Sequence, residues 1–458
     1  MSLDRIATLD LATTRSVIQL NPDAVDIARR RDADRRRGNI RGLLHGLPLL
    51  VKDNIDTGDR MLTTAGSLAM TGAPASRDAP LLAQLRRGGA VLIGKTNLSE
   101  WANIRSSRSS SGWSGRGRQT RNPHVLDRTP SGSSSGSAVA AAAGYAAITI
   151  GTETDGSIVS PSSHNGIVGI KPGVGVVSQQ GIIPIAMSQD AAGPMTRAVE
   201  DAALVLSVIA QRPVDYRRAL KKDALRGKRL GVLRGQFTGY SEHTDACYER
   251  SLTALKECGA VLVEVDISSA KELRESKVEI TILLHELKAC LNAYLRTRPG
   301  LGVKTLADLI RWNETHAAEE MPYFRQERFE QSQATRGLRT RAYLEARATA
   351  LRLSRTDGID RVMRQHKLSA LVAPSNAPAP ALDVIDGEKY LGGSTQPSAV
   401  AGYPIITLPA GAAFGLPLGL SIFAGAGSEG RLLGFAYAFE QETMARVVPK
   451  FLPTLTLP

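Results

Sequence analysis

Short apolar runs that alternate with amphipathic segments constrain the fold of this chain more than any other feature. Residues 47–51, LPLLV, form an apolar run that ends directly at Lys52, and residues 90–93 form a second run. Between them, residues 79–87 have the pattern of a helix, with Asp78 placed to cap its first turn. A helix that returns the chain to an apolar strand is typical of α/β proteins. The sequence therefore predicts an α/β fold.

The rest of the chain continues this pattern without a clear linker. Strands are predicted at residues 228–233 and 260–265, and short apolar strands return between residues 369 and 425, whereas residues 270–350 are charged and helical in pattern. With 42% hydrophobic residues, the chain can bury a large core. We therefore expect a single domain over residues 1–458, in which residues 270–350 form a helical insert.

The net charge of the chain is also compatible with one class of protein other than enzymes. Lys and Arg number 57 against 44 Asp and Glu, a formal net charge of +13 that can attract nucleic acid. Residues 22–37 form a predicted helix that carries RRRDADRRR, but no aromatic residues interleave with these arginines. We interpret this segment as a solvated helix face, and a basic nucleic-acid-binding protein remains the alternative outside the enzymes.

Cysteine content and hydropathy indicate where such a chain works. The three cysteines, Cys247, Cys258 and Cys290, match no metal-site spacing and no disulfide framework. The N-terminal segment lacks the apolar core of a secretory signal, and residues 138–150, the longest apolar run found, are too few to span a bilayer. We therefore expect a cytoplasmic protein without a membrane partner.

Two short matches to known motifs fail because of their surroundings. GAVLIGKT, residues 89–96, fits the phosphate-loop pattern, but its four middle residues favour a buried strand over a loop that cradles phosphate. GSSSG, residues 132–136, fits G-x-S-x-G with Ser134 at its centre, but a turn-forming segment stands where a nucleophile elbow needs an apolar strand. Neither match is expected to carry function.

A lysine and two serine-rich turns form a more consistent candidate site. Lys52 ends an apolar strand, SGSSSGS occupies residues 131–137, and GTETDGS ends at Ser157. A desolvated lysine has a lowered pKa and can act as a base, which a serine hydroxyl needs in order to become a nucleophile. Ser-Lys pairs are a known variant of the catalytic triad. From the residues alone, a surface lysine beside two Gly/Ser turns remains the competing interpretation.

These segments closely resemble the amidase signature family. SGSSSGSA at residues 131–138 resembles the family pattern G-G-S-S-G-G-S-A, and GTETDGSI at residues 151–158 resembles G-T-D-x-G-G-S-I. HGLPLLVKDN at residues 45–54 and LIGKTNLSEWAN at residues 92–103 are similar to two further family boxes. The resemblance covers most of the chain and implies the amidase signature fold, a large twisted mixed β-sheet flanked by helices on both faces.

The resemblance also implies a Ser-Ser-Lys triad that needs no cofactor and no metal. Ser157 would be the nucleophile, Lys52 the base, and Ser133 the bridge that relays the proton between them. In the family the bridging serine follows a cis peptide bond, here Gly132–Ser133. Asp53 and Ser134 are expected to contact the triad residues or their loops and to orient them without taking part in the reaction.

The nucleophile turn departs from the family pattern at two positions. Glu153 stands where the pattern has aspartate, and Asp155 replaces the first glycine of a Gly-Gly pair. Each residue still has a backbone N–H, so the resemblance still implies an oxyanion hole built from the N–H groups of Thr154, Asp155, Gly156 and Ser157. Because a carboxylate near a developing anion is unfavourable, we expect Asp155 to pair with Arg, Lys or backbone N–H groups outside the site.

Several segments resemble the bacterial peptide amidase branch, whose members remove the C-terminal amide of peptides and release ammonia. Some family members carry an Arg two or three residues after the nucleophile, which suits carboxylate substrates, whereas this chain has Val159 and Ser160. We therefore predict no strong preference for free acidic substrates. The alternatives within the family are hydrolysis of another small or aryl amide and a role as the amidase subunit of a transamidation complex. The segments that carry the resemblance are GSSSGSA, GTETDGSI, QTRNP (119–123), TLADLIRWNE (305–314), MPYFRQERFEQ (321–331) and AVAGYPIITLPAG (399–411).

Overall fold

A mixed β-sheet of eleven strands organises the computed structural model, which describes residues 1–455. Across the sheet the strands follow the order β1-β3-β2-β4-β6-β5-β10-β11-β9-β7-β8. This sheet confirms the predicted α/β class and the predicted mixed topology. The strands are β1 (Val17–Leu20), β2 (Pro48–Lys52), β3 (Val91–Thr96), β4 (Ile148–Glu153), β5 (Val168–Lys171), β6 (Ala191–Thr196), β7 (Arg229–Leu233), β8 (Val261–Val265), β9 (Ala370–Pro374), β10 (Ile405–Ala413) and β11 (Leu416–Phe423).

Helices fill most of the chain between the strands. No helix within residues 1–455 is long and apolar enough to cross a membrane. The α-helices are α1 (Ser2–Arg5), α2 (Ala24–Arg36), α3 (Pro80–Arg87), α4 (Ser135–Ala142), α5 (Val159–His164), α6 (Val199–Ile209), α7 (Glu242–Glu257), α8 (Ser269–Glu275), α9 (Val278–Arg296), α10 (Leu306–Thr315), α11 (Ala317–Glu320), α12 (Glu327–Ala334), α13 (Arg341–Leu351), α14 (Asp360–Gln365), α15 (Gln396–Ala401) and α16 (Glu429–Thr443). Wider or tighter helical turns occupy Ile6–Thr14, Leu68–Met70, Tyr216–Ala219, Gly235–Phe237 and Arg352–Ile359.

The predicted strand-helix-strand unit near Lys52 is present. Strand β2 pairs in parallel with β3, which follows it through α3, and also with β4 on its other side. The predicted cap of α3 is wrong, because Ala79 is the residue before the helix and its side chain cannot cap. The Asp78 carboxylate instead accepts the backbone N–H of Gly58 at 2.7 Å and forms an ion pair with Arg86.

Both faces of the sheet are covered, because neighbouring residues of one strand point to opposite sides. In β2, Leu49 and Val51 belong to the largest apolar cluster, which includes residues of α3, α6 and α16. Leu50 lies between them in sequence and belongs to a different cluster, with Ala140 of α4 and Ala24 of α2. This arrangement explains why β2 reads as a continuous apolar run rather than an alternating one.

The segment between α8 and α13 is helical and joins the rest of the fold through its own apolar cluster. Leu287 and Leu291 of α9 and Phe329 of α12 are buried with Leu98 and Trp101, which follow β3. The rings of Trp101 and Phe329 meet edge to face at 5.6 Å between centroids. This contact places the helical segment beside the chain that leads into the serine-rich loop.

Gly136, at the start of α4, permits a close approach that no other residue would allow. A Cβ atom there would overlap the carbonyl oxygen of Ser16 and lie 2.5 Å from that of Asn97. We expect Gly136→Ala to lower the free energy of unfolding by about 1–3 kcal/mol, measured by urea denaturation, because overpacking outweighs the helix propensity of alanine. Gly302→Ala is the control, since a Cβ at Gly302 meets no atom within 4 Å. Equal stability of both variants would contradict the steric argument.

Candidate active site

Three chain segments bring the predicted site residues to one edge of the sheet. Lys52 is the last residue of β2, and β4, its parallel neighbour, ends at Glu153 just before the turn that carries Ser157. Since parallel strands end at the same edge, Lys52 and this turn lie side by side. The loop that carries Ser133 and Ser134 crosses the same edge and leads into α4.

Lys52 is fully buried, and its amine is surrounded by hydroxyl and carbonyl oxygens. Its Nζ lies 2.8 Å from Ser133 Oγ and 3.0 Å from Ser134 Oγ. The hydroxyl and the carbonyl oxygen of Thr152 lie 2.9 and 3.2 Å from the same atom. Burial lowers the pKa of Lys52 to about 7, although the nearby carboxylates of Asp190 and Glu153 raise it. A large fraction of this amine is therefore neutral near pH 7.

Thr152 and Asn54 were not predicted, and both orient the lysine. The Thr152 hydroxyl accepts a hydrogen bond from Asn54 Nδ2 at 3.0 Å while it also lies beside Lys52 Nζ. A hydroxyl has two lone pairs, so Asn54 and one Lys52 N–H can use both of them. A neutral amine has two N–H groups and one lone pair. The contact of 2.8 Å between Lys52 Nζ and Ser133 Oγ is suited to a hydrogen bond that the Ser133 hydroxyl donates to this lone pair. The box HGLPLLVKDN contains Asn54, but nothing in it indicates this contact.

Main-chain hydrogen bonds hold the serine-rich loop against the turn that carries Ser157. The backbone N–H of Ser134 donates to the carbonyl of Ser157 at 3.1 Å, and that of Ser99 donates to the carbonyl of Ser133 at 3.1 Å. The Gly132–Ser133 peptide bond is cis, the configuration that the resemblance implies. Ser157 is 8% exposed, and within residues 1–455 its hydroxyl makes no hydrogen bond.

The turn before α5 presents consecutive backbone N–H groups that no other group uses. Among the described residues, the N–H groups of residues 154–157 donate to no acceptor. Gly156 has φ of 77°, a left-handed conformation that suits glycine. Glu153 Oε2 accepts the N–H groups of Ile158 and Val159 at 2.7 and 2.9 Å, so the glutamate stabilises the turn from within. The Thr154 hydroxyl donates to Asp190 Oδ1 at 2.6 Å.

Asp155 does not find the partners that we expected. In the part of the chain that the structure describes, its Oδ1 is buried and has no hydrogen-bond partner. Burial, and then the adjacent carboxylate of Glu279, raises the pKa of Asp155, and the Thr395 hydroxyl opposes this rise. The expected pairing with a cation is wrong because the nearby Lys171 donates instead to the carbonyl oxygens of Tyr403 and Pro172.

Asp53 stabilises the neighbouring loops rather than Lys52. Its Oδ2 accepts hydrogen bonds from Arg116 Nη1 at 3.2 Å and from the hydroxyl of Thr64, so it joins the end of β2 to the loops that carry these two residues. Lys95, the lysine of the phosphate-loop match, is buried in β3 and donates to the carbonyl of Ile55 at 2.7 Å. No group of three or more metal-ligating side chains occurs within residues 1–455.

The nucleophile turn contributes to the walls of two cavities. The larger, of about 660 Å³, is lined by Thr152, Thr154 and Asp190 together with Tyr294 and Arg298 of the helical segment. The smaller, of about 380 Å³, includes Gly132, Asp155, Gly156 and Ser160 in its wall. Both cavities therefore adjoin the turn that carries Ser157.

Comparison with known proteins decides the family. The amidase family model matches residues 1–433. The chain belongs to the amidase family. In solved structures, the fold of this amidase is similar to that of the native peptide amidase from Stenotrophomonas maltophilia, with a TM-score of 0.93 and 47% sequence identity over 98% of this chain and 94% of that one.

Curated relatives agree with this assignment. A probable amidase of Arabidopsis thaliana is 38% identical, over 95% of this chain and 85% of the relative. A component of the glutamyl-tRNA(Gln) amidotransferase from a Synechococcus species is 34% identical, over 96% of this chain and 87% of that protein. The expectation of an enzyme with the amidase signature fold is confirmed.

Proposed function

We propose that this amidase hydrolyses the C-terminal carboxamide of peptides through an acyl-enzyme on Ser157. The observation that carries the proposal is the contact of 2.8 Å between the buried amine of Lys52 and Ser133, at the edge of the sheet where Ser157 also lies. A base that is neutral near pH 7 can accept the proton that a serine nucleophile must lose. Four unused N–H groups beside Ser157 can bind the oxyanion.

The proposed reaction has two steps. The Ser157 oxygen bonds to the carboxamide carbon, its proton passes to Ser133, and the Ser133 proton passes to Lys52. The carbonyl oxygen becomes an anion held by the N–H groups of residues 154–157. The C–N bond then breaks, and the same relay in reverse protonates the leaving nitrogen, which departs as ammonia. Water repeats the attack on the Ser157 ester and releases the free acid.

Two features support a neutral peptide amide as the substrate. The peptide amidase from Stenotrophomonas maltophilia is 47% identical, a closer likeness than the 34% identity to the amidotransferase component. Val159 and Ser160, which follow Ser157, carry no positive charge that could select a free acid. We also propose that the helical insert at residues 270–350 shapes the substrate site, because α9 and the residues after it form one wall of the larger cavity.

Ammonia release by the purified chain tests the proposal. The panel pairs peptide amides with small aliphatic amides, aryl amides and malonamate-like acids, and Ser157→Ala serves as the blank. We expect release from peptide amides above all others and none from the blank. Ammonia release from small amides alone would rule out peptide amides as the substrate. Activity that requires copurifying partner chains would favour the transamidation alternative. A panel in which acids exceed neutral amides would contradict the argument from Val159 and Ser160.

The pKa of Lys52 predicts how activity depends on pH. Below about 7 the amine is protonated and has no lone pair, so we expect kcat/KM to fall about tenfold for each further pH unit. The Asp190 carboxylate raises the pKa of Lys52, so Asp190→Asn should move this acid limb to lower pH. Profiles of kcat/KM against pH for both proteins measure the shift, and a limb that moves to higher pH would contradict the assignment of Lys52 as the base.

A further inference from the structure

Asp155 is a carboxylate beside the proposed nucleophile without a cation of its own. It lines the smaller cavity, two residues before Ser157. The carboxylates of Glu279 and Glu153 and the amine of Lys171 lie near it. The Lys171 amine lies 2.7 Å from the carbonyl oxygen of Tyr403. Among the described residues, Asp155 Oδ1 has no hydrogen-bond partner.

Glu279, the acidic neighbour of Asp155, is held by neutral groups. Gln189 Nε2 donates to its Oε1 at 2.9 Å, and Gln396 Nε2 donates to its Oε2 at 2.8 Å. These amides fix the carboxylate but bring no positive charge. Burial raises the pKa of both carboxyl groups. A single cationic group bound beside them would favour their ionised forms.

The same cavity contains buried acceptors without donors. His164 is 6% exposed and lines the cavity, and its Nε2 is bonded to the carbonyl of Ala377 at 3.0 Å. A ring nitrogen bonded to a carbonyl must carry the proton, so Nδ1 is an acceptor, and among the described residues it has no partner. Asn376, a residue 3% exposed, also lines this cavity, and its Oδ1 has no hydrogen-bond partner among the described residues. Buried acceptors left unpaired are costly, and a ligand rich in N–H groups would relieve that cost.

We infer that this cavity binds a cationic group in the acyl part of the substrate, an ammonium or a guanidinium, with Asp155 as its counter-ion. The inference rests on the proposed amide hydrolysis and deepens it, because it assigns a side-chain preference to the same site. Arg328 and the exposed Lys389 also line this cavity, and they favour the opposite charge. The two alternatives predict opposite orders of substrate preference.

A matched set of peptide amides separates these alternatives. The peptides end in lysinamide, in norleucinamide, which has an uncharged chain of the same carbon length, or in glutamic acid α-amide. We expect kcat/KM for lysinamide to exceed that for norleucinamide by about tenfold, as one partly buried ion pair allows. Asp155→Asn and Glu279→Gln should reduce this ratio towards one. The ratio remains informative if a variant is slower on both substrates by the same factor.

Glu286→Gln is the matched control. Glu286 is a buried carboxylate of the same helix, α9, but it accepts the N–H of Ser188 at 2.9 Å and does not line the smaller cavity. We expect this variant to keep the wild-type ratio. A preference for the glutamic acid amide, or an equal ratio in the wild type and Asp155→Asn, would overturn the inference.

Binding without catalysis distinguishes failure of this inference from failure of the proposed function. Calorimetry on Ser157→Ala, with n-butylammonium and n-butylguanidinium as probes and valeramide as the neutral comparison, needs no turnover. We expect the cations to bind at least about tenfold more tightly than valeramide, and Asp155→Asn in the same background to remove the difference. Cation binding by a chain that hydrolyses no amide would leave the inference standing and reject the proposed function. Absence of cation binding would overturn the inference whatever the activity.

Discussion

Replacement of Ser157 by alanine is expected to reduce kcat for carboxamide hydrolysis by about 10⁴-fold or more. The variant keeps the backbone N–H groups of residues 154–157 and the contact between Lys52 and Ser133, so it retains the proposed oxyanion hole and the proposed base. It lacks the oxygen on which the proposed acyl bond forms. Ammonia release under saturating peptide amide measures kcat directly, and trapping of an acyl-enzyme by mass spectrometry should succeed for the wild type alone.

Ser163→Ala is the matched control for this loss. Ser163 lies on α5, is 2% exposed, and its hydroxyl has no hydrogen-bond partner among the described residues. We expect its kcat to stay within a factor of about two of the wild type, because the change removes a buried hydroxyl that contacts no reacting group. A folded Ser157→Ala variant with more than a tenth of the wild-type kcat would reject Ser157 as the nucleophile.

Replacement of Arg105 by leucine is expected to lower the free energy of unfolding by about 3–5 kcal/mol, the largest effect on stability that we predict. Arg105 and Glu100 form an ion pair of 2.8 Å in which both side chains are fully buried. The guanidinium also donates to the carbonyl of Glu320 at 3.0 Å and lies 4.4 Å from the ring centre of Phe324. Leucine leaves the Glu100 carboxylate buried without its cation, and urea denaturation measures the loss.

The control for Arg105 is an ion pair of the same type on the surface. Arg341 Nε lies 2.7 Å from Glu345 Oε1 on α13, where the two side chains are 90% and 61% exposed. We expect Arg341→Leu to change stability by less than about 0.5 kcal/mol, because water screens exposed pairs. Because burial raises the pKa of Glu100 to about 8, all variants are measured at pH 9, where the Glu100 carboxylate of the wild type is charged. A loss below about 1 kcal/mol for Arg105→Leu at that pH would contradict the argument from the buried ion pair.

The strands and helices near Lys52 could be predicted because local sequence determines them. The apolar run that ends at Lys52 is β2, and the amphipathic pattern of residues 79–87 is α3 to within one residue. The sequence did not identify the N-terminal cap of α3 correctly. The Asp78 carboxylate binds the backbone N–H of Gly58 and the guanidinium of Arg86 instead of the free N–H groups of the helix. Which donor an aspartate side chain binds depends on residues that are close in space but distant in sequence. A local sequence pattern does not contain that information.

The surroundings of the candidate site could be predicted only in part. The resemblance indicates Lys52, Ser133 and Ser157, and the fold brings their segments to one sheet edge. The contacts of Asp155 depend on Glu279 and Thr395, which come from distant parts of the chain and carry no motif. Its expected pairing with a cation failed because Lys171, the available ammonium, lies against backbone carbonyl oxygens instead. Which of several charged residues meet is decided by packing across the whole domain.

The helical segment that forms one wall of the larger cavity is separate from the sheet edge that carries the candidate reacting groups. This separation affects how the protein can evolve. Lys52 and the serine turns belong to the sheet edge, whereas Tyr294 and Arg298 of the larger cavity belong to the helical segment. Mutations in that segment can alter which molecules fit while the chemistry stays the same. Directed evolution towards new amides can therefore begin with the residues of this segment that line the larger cavity.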